Sequence, residues 1–571
     1  MDPIEPFRKE VESSITRALE EIHFVSSWNL EIPPAEIADF ALPCFQFAKE
    51  MKKSPAVIAT ELLSKLPTMS LVSRTWTDGG YINFKIDNEK LASITLETIL
   101  KEKENYGRAE RKGVEVLLEH TSVNPTGPIH VGRARNPLIG DTLARCMRLA
   151  GYDVVTEYYV NDVGKQVILL TWGVENIPPE SVPKSERNKA DHRLVGFYQK
   201  ANEMMENDPK ITDEIAEMLR RFESGDETII NKVRRTAQAI LDGINQSLID
   251  INVRIDRFVW ESQFILDGSA KEVVERLKRT KYCHEEAGAY YLDLEEFGIK
   301  GRDTKFFFTR SDGTTLYTTR DLAYHLDKFK RADHVINVLG EDQKLGMTHL
   351  EAALKILGVK QAPENVFYSF VSLPEGRMST RKGRVVTLDD LIEEAEERAL
   401  EEVKKRRIDL PEEKMKAIAR LIGRGAIRYN IIRIQAEKPI VFKWKEALNF
   451  EGNSAPFVQY AHARACSILR KAGEYEKIVD PYLLQDDYEK KLIRILARFP
   501  GVIKEAGEKR RIHIVPAYAH ELASAFNQFY TYVPVLKGGD KTNARLTLVE
   551  SSMWTLRNCL EVMGLGAPEE M

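Results

Sequence analysis

Cysteine is scarce and scattered in this chain. Its five copies, Cys44, Cys146, Cys283, Cys466 and Cys559, are spread over 571 positions, with no CxxC pair and no zinc-type cluster. No protein-bound zinc and no other metal ligand set is therefore expected, and the odd, dispersed count fits a reducing cytoplasm. Long apolar runs are missing as well. No stretch of about 18 apolar residues occurs, and the opening MDPIEPFRKEVESS is charged and amphipathic rather than signal-like. A membrane partner is not expected, and the cytoplasm is the expected location. The loop pattern GxxxxGK[ST] is absent, also from GEDQKLG at 340–346, which excludes the commonest phosphate grip. Net charge is small, −4 from 83 Lys and Arg against 87 Asp and Glu. Whole-molecule charge thus does not announce a nucleic acid, although a basic stripe on an acidic protein is compatible with one. Internal repeats and low-complexity tracts are absent too.

Composition is otherwise that of a globular protein, 30% charged and 43% hydrophobic. The length calls for about three or four domains. Residues 1–110 read as a separate α+β unit, with helices over 6–22 and 54–66 and a hairpin turned at Asp78-Gly79-Gly80. Residues 111–385 read as a parallel-sheet unit: a strand over 114–122, a helix from His130 to about Leu149 and a strand over 153–162 form a βαβ motif. Its strands resume with ADHVINVLG and VFYSFVSL, and a charged, helical insertion is expected over roughly 170–305. Residues 386–445 read as connecting helices. Residues 446–571 read as an all-helical bundle, with segments over 455–473, 485–507, 513–533 and 554–564. The fold class expected is multidomain α/β, a Rossmann-like core flanked by an N-terminal α+β domain and a C-terminal helical one.

The segment SVNPTGPIHVGRARN at 122–136 carries the strongest chemistry. A stiff turn, Asn124 to Pro128, runs into a helix start at the end of a strand, where open α/β sheets bind ligands and helix N–H groups favour anions. There His130 can donate to a phosphate oxygen, and Gly132 lets a base approach the backbone. A lone surface histidine at a cap is the plain alternative, and the preceding turn argues against it. A second loop, PEGRMSTRKG at 374–383, is strongly cationic, which suits triphosphate chemistry or a mere solvated turn. In SDGTTLYTTRDLAYH, Tyr317 and Asp321 are four apart and share a helix face. They can orient a polar substrate or simply satisfy each other. Glu261 is a further acid after an apolar run. In the bundle, Tyr460, His462, Arg464, Arg470, Tyr530 and Tyr532 mix aromatics with bases, as stacking sites for nucleotides or as ordinary packing.

These strings carry a resemblance. His130-Val131-Gly132-Arg133 resembles the HIGH signature of class I aminoacyl-tRNA synthetases, and Arg377-Met378-Ser379-Thr380-Arg381 resembles their KMSKS signature. The longer strings NPTGPIHVGRARN, IGDTLARCMRLAGYDVVTEYYVNDVGKQ, TTLYTTRDLAYHL and the closing NCLEVMGLGAPEEM are similar to arginyl-tRNA synthetases of the archaeal branch, over essentially the whole chain. Arg133 replaces the second histidine, and Arg377 and Thr380 replace the lysines, with Arg381 and Lys382 alongside. An arginine contacts phosphate but cannot act as a neutral imidazole.

The resemblance implies ligation of L-arginine to tRNA(Arg) through arginyl-adenylate, with ATP and accompanying Mg2+, and transfer to the terminal adenosine 2′-OH. It implies His130, Arg133, Arg377, Arg381 and Lys382 as the catalytic charges. For ATP it implies Pro128, His130, Gly132, Arg133, Met378, Ser379 and Arg381. For arginine it implies Asn124, Glu261, Tyr317, Asp321 and Gln343. It further implies an N-terminal domain on the tRNA elbow, stem-contacting helices over 386–445, an anticodon-binding C-terminal domain with Tyr460, Tyr532 and Trp554 as candidate contacts, and a monomer. Another class I synthetase fits poorly, since Asp321 and Glu261 suit an aliphatic substrate badly. A non-catalytic tRNA-binding relative stays open on the altered signatures, and a generic nucleotidyltransferase leaves the C-terminal bundle unexplained.

Overall fold

The computed structural model describes residues 1–34, 37–372 and 386–571, with the backbone alone at 302 and 303. Near the N-terminus, helix α1 (Glu5–Glu21) covers an antiparallel sheet of β1 (Phe40–Pro43), β2 (Val72–Asp78) and β3 (Tyr81–Ile86), in the order β1-β3-β2. Phe7, Val11, Ile15 and Leu19 recur at helical spacing and pack with Phe40, Leu42, Ile82 and Phe84 of the sheet. The expected hairpin turn is present: Gly79 and Gly80 both have positive φ, 55° and 92°, which glycine adopts without strain.

The central sheet is built from β4 (Glu115–Glu119), β5 (Asp153–Val160), β6 (Arg257–Trp260), β10 (His334–Gly340) and β11 (Glu364–Tyr368). All pairings are parallel, in the order β11-β10-β4-β5-β6. β4 is central, and its Val116-Leu117-Leu118 run is buried, as a strand covered on both faces requires. Helix α2 (Arg135–Leu149) crosses from β4 to β5. A small antiparallel sheet, β7 (Cys283–Glu286), β8 (Ala289–Asp293) and β9 (Lys305–Phe307), precedes helix α3 (Tyr317–Arg331). Helix α4 (Leu388–Arg406) starts on a capping box, Thr387 with Asp390. The C-terminal bundle ends with α5 (Thr542–Val562).

Four details depart from the sequence expectations. Helix α2 begins at Arg135 rather than His130, because a 3-10 turn, Val131–Arg133, intervenes. The stretch 170–305 is not wholly an insertion, since β6 returns from it to the edge of the main sheet. VFYSFVSL does not continue as one strand. Ser369 leaves the ladder to donate its N–H to Ala436 O at 2.9 Å, and Val371–Ser372 (β12) pairs with Ile440–Val441 (β13) instead. The 485–507 segment is two helices, Asp487–Ala497 and Phe499–Glu508, with Pro500 in the first turn of the second.

A continuous polar row crosses this sheet. The register sets Asn365, Asn337, Glu119, Glu157 and Arg257 side by side, one from each strand. Helix α3 docks on that row. Lys328 pairs with Glu119, while the Tyr324 hydroxyl and the Arg331 guanidinium donate to Glu157. Buried polar groups that find partners fix a single docking position, where apolar packing alone tolerates sliding.

Candidate functional site

The site starts from a strained exit. After β4 the chain passes Thr121 and Ser122 with φ of 74° and 42°, both in the left-handed region. Three hydrogen bonds hold them there. Thr121 N–H donates to Asn136 Oδ1 at 2.8 Å, Ser122 Oγ donates to Glu119 at 2.9 Å, and Tyr159 N–H donates to Ser122 Oγ at 3.0 Å. This bend throws the Asn124–Pro128 turn over the sheet edge, beside a cleft of about 1150 Å³.

His130 lines that cleft. Its Nδ1 accepts the Gly132 N–H at 2.9 Å, so in the neutral ring the hydrogen lies on Nε2, which is then a donor. Gly132 is buried, and its N–H is spent on this cap, not available for phosphate. Arg133 lies at the rim, its guanidinium 5.4 Å from the Phe370 ring centroid and 4.0 Å from Asp342. Pro128 also faces the cleft. Arg135, overlooked in the sequence, is fully buried and donates to the carbonyls of Ser369, Gln435 and Lys438 at 2.6–2.7 Å. Burial pushes its guanidinium down to about 10. It ties α2 to the 434–438 connection.

The residues proposed for the amino acid line the same cleft: Asn124, Glu261, Tyr317, Asp321 and Gln343. Tyr317 is 63% exposed at the first turn of α3. Burial opposes ionisation of Asp321, but the His325 imidazole and the Lys328 ammonium hold its carboxyl below the usual range. Glu261 is fully buried. Arg320 Nε bonds its Oε1, and with the Asn161 amide oriented by its neighbours, Asn161 donates to Oε2 at 2.9 Å. Burial pushes the Glu261 carboxyl up to about 7, against the pull of Arg320. Asn124 donates to Gln166 at 3.2 Å, and Gln343 sits exposed beside Asp342.

Arg377, Met378, Ser379, Arg381 and Lys382 lie outside the described residues. The residues that follow them are stitched to the His130 turn. Val131 N–H donates to Val386 O at 3.0 Å, Leu388 N–H donates to Ile129 O at 2.8 Å, and His130 bridges Thr387. Sequence reading also missed a strap at 185–192 that clamps the start of α4. Arg187 pairs with Asp390 at 2.5 Å, Lys189 with Asp389 at 2.7 Å, and His192 Nε2 with Asp389 at 2.6 Å. Asp191, His192 and Asp389 are, among the described residues, a group with metal-ligand geometry. The Lys189 ammonium between them already supplies the cation.

In the bundle, Tyr460 and Tyr530 flank the Arg464 guanidinium, at 4.7 and 5.4 Å from their ring centroids. Tyr532 stacks on Tyr488 at 5.0 Å instead, and its ring is 64% exposed. Trp554 is half-buried against the bundle core, with Arg557 5.5 Å from its ring. The three aromatic candidates thus fall into separate surroundings.

Comparison with known proteins gives a consistent result. Residues 95–444 match the model of the class I (R) tRNA synthetase catalytic domain, 458–571 the DALR anticodon binding domain, and 9–86 the arginyl tRNA synthetase N terminal domain. An arginine--tRNA ligase of Methanocella arvoryzae is 48% identical over 530 residues, 92% of either chain. One from Methanothermobacter thermautotrophicus is 44% identical over 570 residues, 99% of either chain. The solved structure of Thermus thermophilus arginyl-tRNA synthetase superposes with a TM-score of 0.83 at 30% identity, covering 99% of this chain and 100% of that one.

Proposed function

The chain belongs to the class I arginyl-tRNA synthetases, and from that membership we propose how its own residues divide the work. The enzyme ligates L-arginine to tRNA(Arg) with ATP. The observation that carries this reading is a single cleft shared by the His130 turn and the Tyr317–Asp321 face of α3.

The arginine carboxylate attacks the α-phosphorus of ATP, and the bond to the β,γ-pyrophosphate breaks, leaving arginyl-adenylate. The 2′-OH of the terminal adenosine then attacks the activated carbonyl and AMP leaves. His130 Nε2–H donates to the phosphate as charge develops, and Arg133 adds a cation at the rim. Pro128 and Gly132 shape the adenosine side, Met378 and Ser379 take part in ATP binding, and Arg377, Arg381 and Lys382 clamp the β- and γ-phosphates and the leaving pyrophosphate. Magnesium accompanies ATP and neutralises its phosphates while bound. No covalent protein nucleophile is needed, because positioning and electrostatics suffice.

Asp321 pairs with the guanidinium, and the Tyr317 hydroxyl lies beside it. Asn124 and Glu261, the latter acting through Asn161, serve the α-amino end, and Gln343 lies near the amino acid. Lysine is rejected because an ammonium has no planar fork to match a carboxylate. The N-terminal unit, residues 1–110, contacts the tRNA elbow. Residues 111–385 do the chemistry, 386–445 run along the stem, and 446–571 take the anticodon, with Tyr460 and Tyr532 offering exposed rings and Trp554 a half-buried one. No helix among the described residues is long and apolar enough to cross a membrane. A cytoplasmic monomer completes the proposal.

Charging of tRNA(Arg) transcript with labelled arginine, lysine, cysteine or leucine tests the reading. Arginine alone is expected in the ester. Charging with a different amino acid, or with none while the tRNA still binds, overturns it.

A further inference from the structure

Asp321 does not stand alone on α3. His325 follows it by four residues and therefore lies on the same helix face. His325 Nδ1 is 3.0 Å from Asp321 Oδ1 and 2.9 Å from the Asp321 carbonyl oxygen. Both are acceptors, so Nδ1 carries a hydrogen. His325 Nε2 lies 3.1 Å from the amide nitrogen of Asn337. Which end of that amide faces the ring is decided one step further along. The Lys328 ammonium, a donor only, sits 2.9 Å from Asn337 Oδ1 and is ion-paired with Glu119. The amide nitrogen is thereby turned towards Asn365 Oδ1, at 3.1 Å, and towards His325. A donor at Nε2 makes that atom an acceptor. In the neutral ring the hydrogen therefore lies on Nδ1, an assignment made by the network.

We propose that His325 is a positioning residue for arginine selection: its tautomer is dictated by the chain Glu119–Lys328–Asn337, and it holds the Asp321 carboxylate in one orientation for the guanidinium. The proposal rests on the reading of Asp321 as the guanidinium partner. A guanidinium rewards a carboxylate whose plane is fixed, because two parallel N–H···O bonds form only when the planes agree. The terminal torsion of an aspartate is otherwise broad and two-fold. The Nδ1–H, hydrogen-bonded to the Asp321 carbonyl and 3.0 Å from Oδ1, narrows that freedom, and since each carboxylate oxygen accepts twice, the fork still fits. The arrangement also gives a task to the buried Lys328–Glu119 pair, which costs desolvation that an apolar pair would avoid.

The test compares wild type with His325→Leu, His325→Asn and His325→Gln, reading KM for arginine, ATP and tRNA in the charging reaction, with a thermal melt of each. Asn keeps a donor at the Nδ1 position, whereas Gln reaches Asn337 but not Asp321. Loss of the polar Nδ1–H beside the carboxylate is expected to raise the arginine KM about 10-fold in the Leu and Gln variants. The KM for ATP and tRNA should stay within about twofold, and Asn should recover most of the loss. An unchanged arginine KM in Leu and Gln overturns the proposal, and so does an equal rise for all three substrates, which marks general damage. If the Leu variant does not fold, Gln decides alone. Failure of wild type itself to charge arginine would overturn the function and this inference together, so the two failures are distinct.

Discussion

His120, the residue after β4, lies wholly inside the protein with its ring against Gly140 of α2, so close that an added methyl there would come within 2.3 Å of Cγ. Gly140→Ala is therefore expected to destabilise by about 1–3 kcal/mol through overpacking, read as a lower urea midpoint. Burial pushes the imidazole down to about 4, with Asp141 opposing. The unfolded chain takes up this proton near pH 6.5, whereas the folded chain refuses it until about pH 4. Stability from this group is complete above the upper value and falls through that window, by at most about 3 kcal/mol. His120→Gln should flatten the change in urea midpoint between about pH 7 and pH 4.5; an unaltered slope would contradict it. At the cleft, Asp321→Asn removes the charge meant for the guanidinium, and kcat/KM for arginine should drop about 100-fold or more while ATP binding holds. Single residues were unevenly legible. Tyr317 and Asp321 declared themselves by helical spacing, and His325, four further on, carried the same signal unread. Thr121 and Ser122 gave no sign of their left-handed backbone, because no glycine marks it and the bonds that tie it to Asn136 and Tyr159 reach other parts of the chain.

Among the elements, those set by local pattern were readable and those set by distant partners were not. The Gly79-Gly80 hairpin and the β4–α2–β5 unit rest on neighbouring residues. β6 is four residues at a sheet edge inside a helical stretch, so nothing in its own sequence says which strand it joins. The break between β11 and β12 depends on Ser369 meeting the 436–437 backbone. The strap at 185–192 looks like a charged linker until Asp389 and Asp390 are beside it. Burial opposes ionisation of Asp389, yet hydrogen bonds from His192 and Lys189 hold its carboxyl well below the usual range. A carboxyl so depressed stabilises above its unfolded value of about 4 and loses that contribution as pH falls through its folded value. Asp389→Asn should cost about 3 kcal/mol at neutral pH, because the Lys189 ammonium loses its nearer carboxylate and keeps only Asp191 at 3.6 Å, and should blunt acid unfolding below about pH 4. Melts across that range decide the matter, and a variant as stable as wild type would refute the clamp.

At the scale of the whole molecule, sheet and bundle share one core, in which Leu138, Leu143 and Met147 of α2 meet Phe499, Ile503 and Leu556. Arg428, fully buried, crosses that junction. It pairs with Asp141 at 2.6 Å and donates to the carbonyls of Ile251 and Met563 at 2.8 and 2.9 Å. Arg428→Met should lower stability by about 3–5 kcal/mol and separate the melting of sheet and bundle into two calorimetric transitions. The domain order was legible because composition shifts mark it, whereas this junction was not, since an arginine in a helical pattern reads as surface. The central claim, that one cleft activates arginine for transfer to tRNA, is tested most directly by arginine-dependent exchange of labelled pyrophosphate into ATP, with and without tRNA(Arg). Exchange with arginine and not with lysine, cysteine or leucine, in the presence of tRNA, is the predicted result. Absence of exchange with every amino acid under both conditions, from a folded protein that binds tRNA, would contradict it.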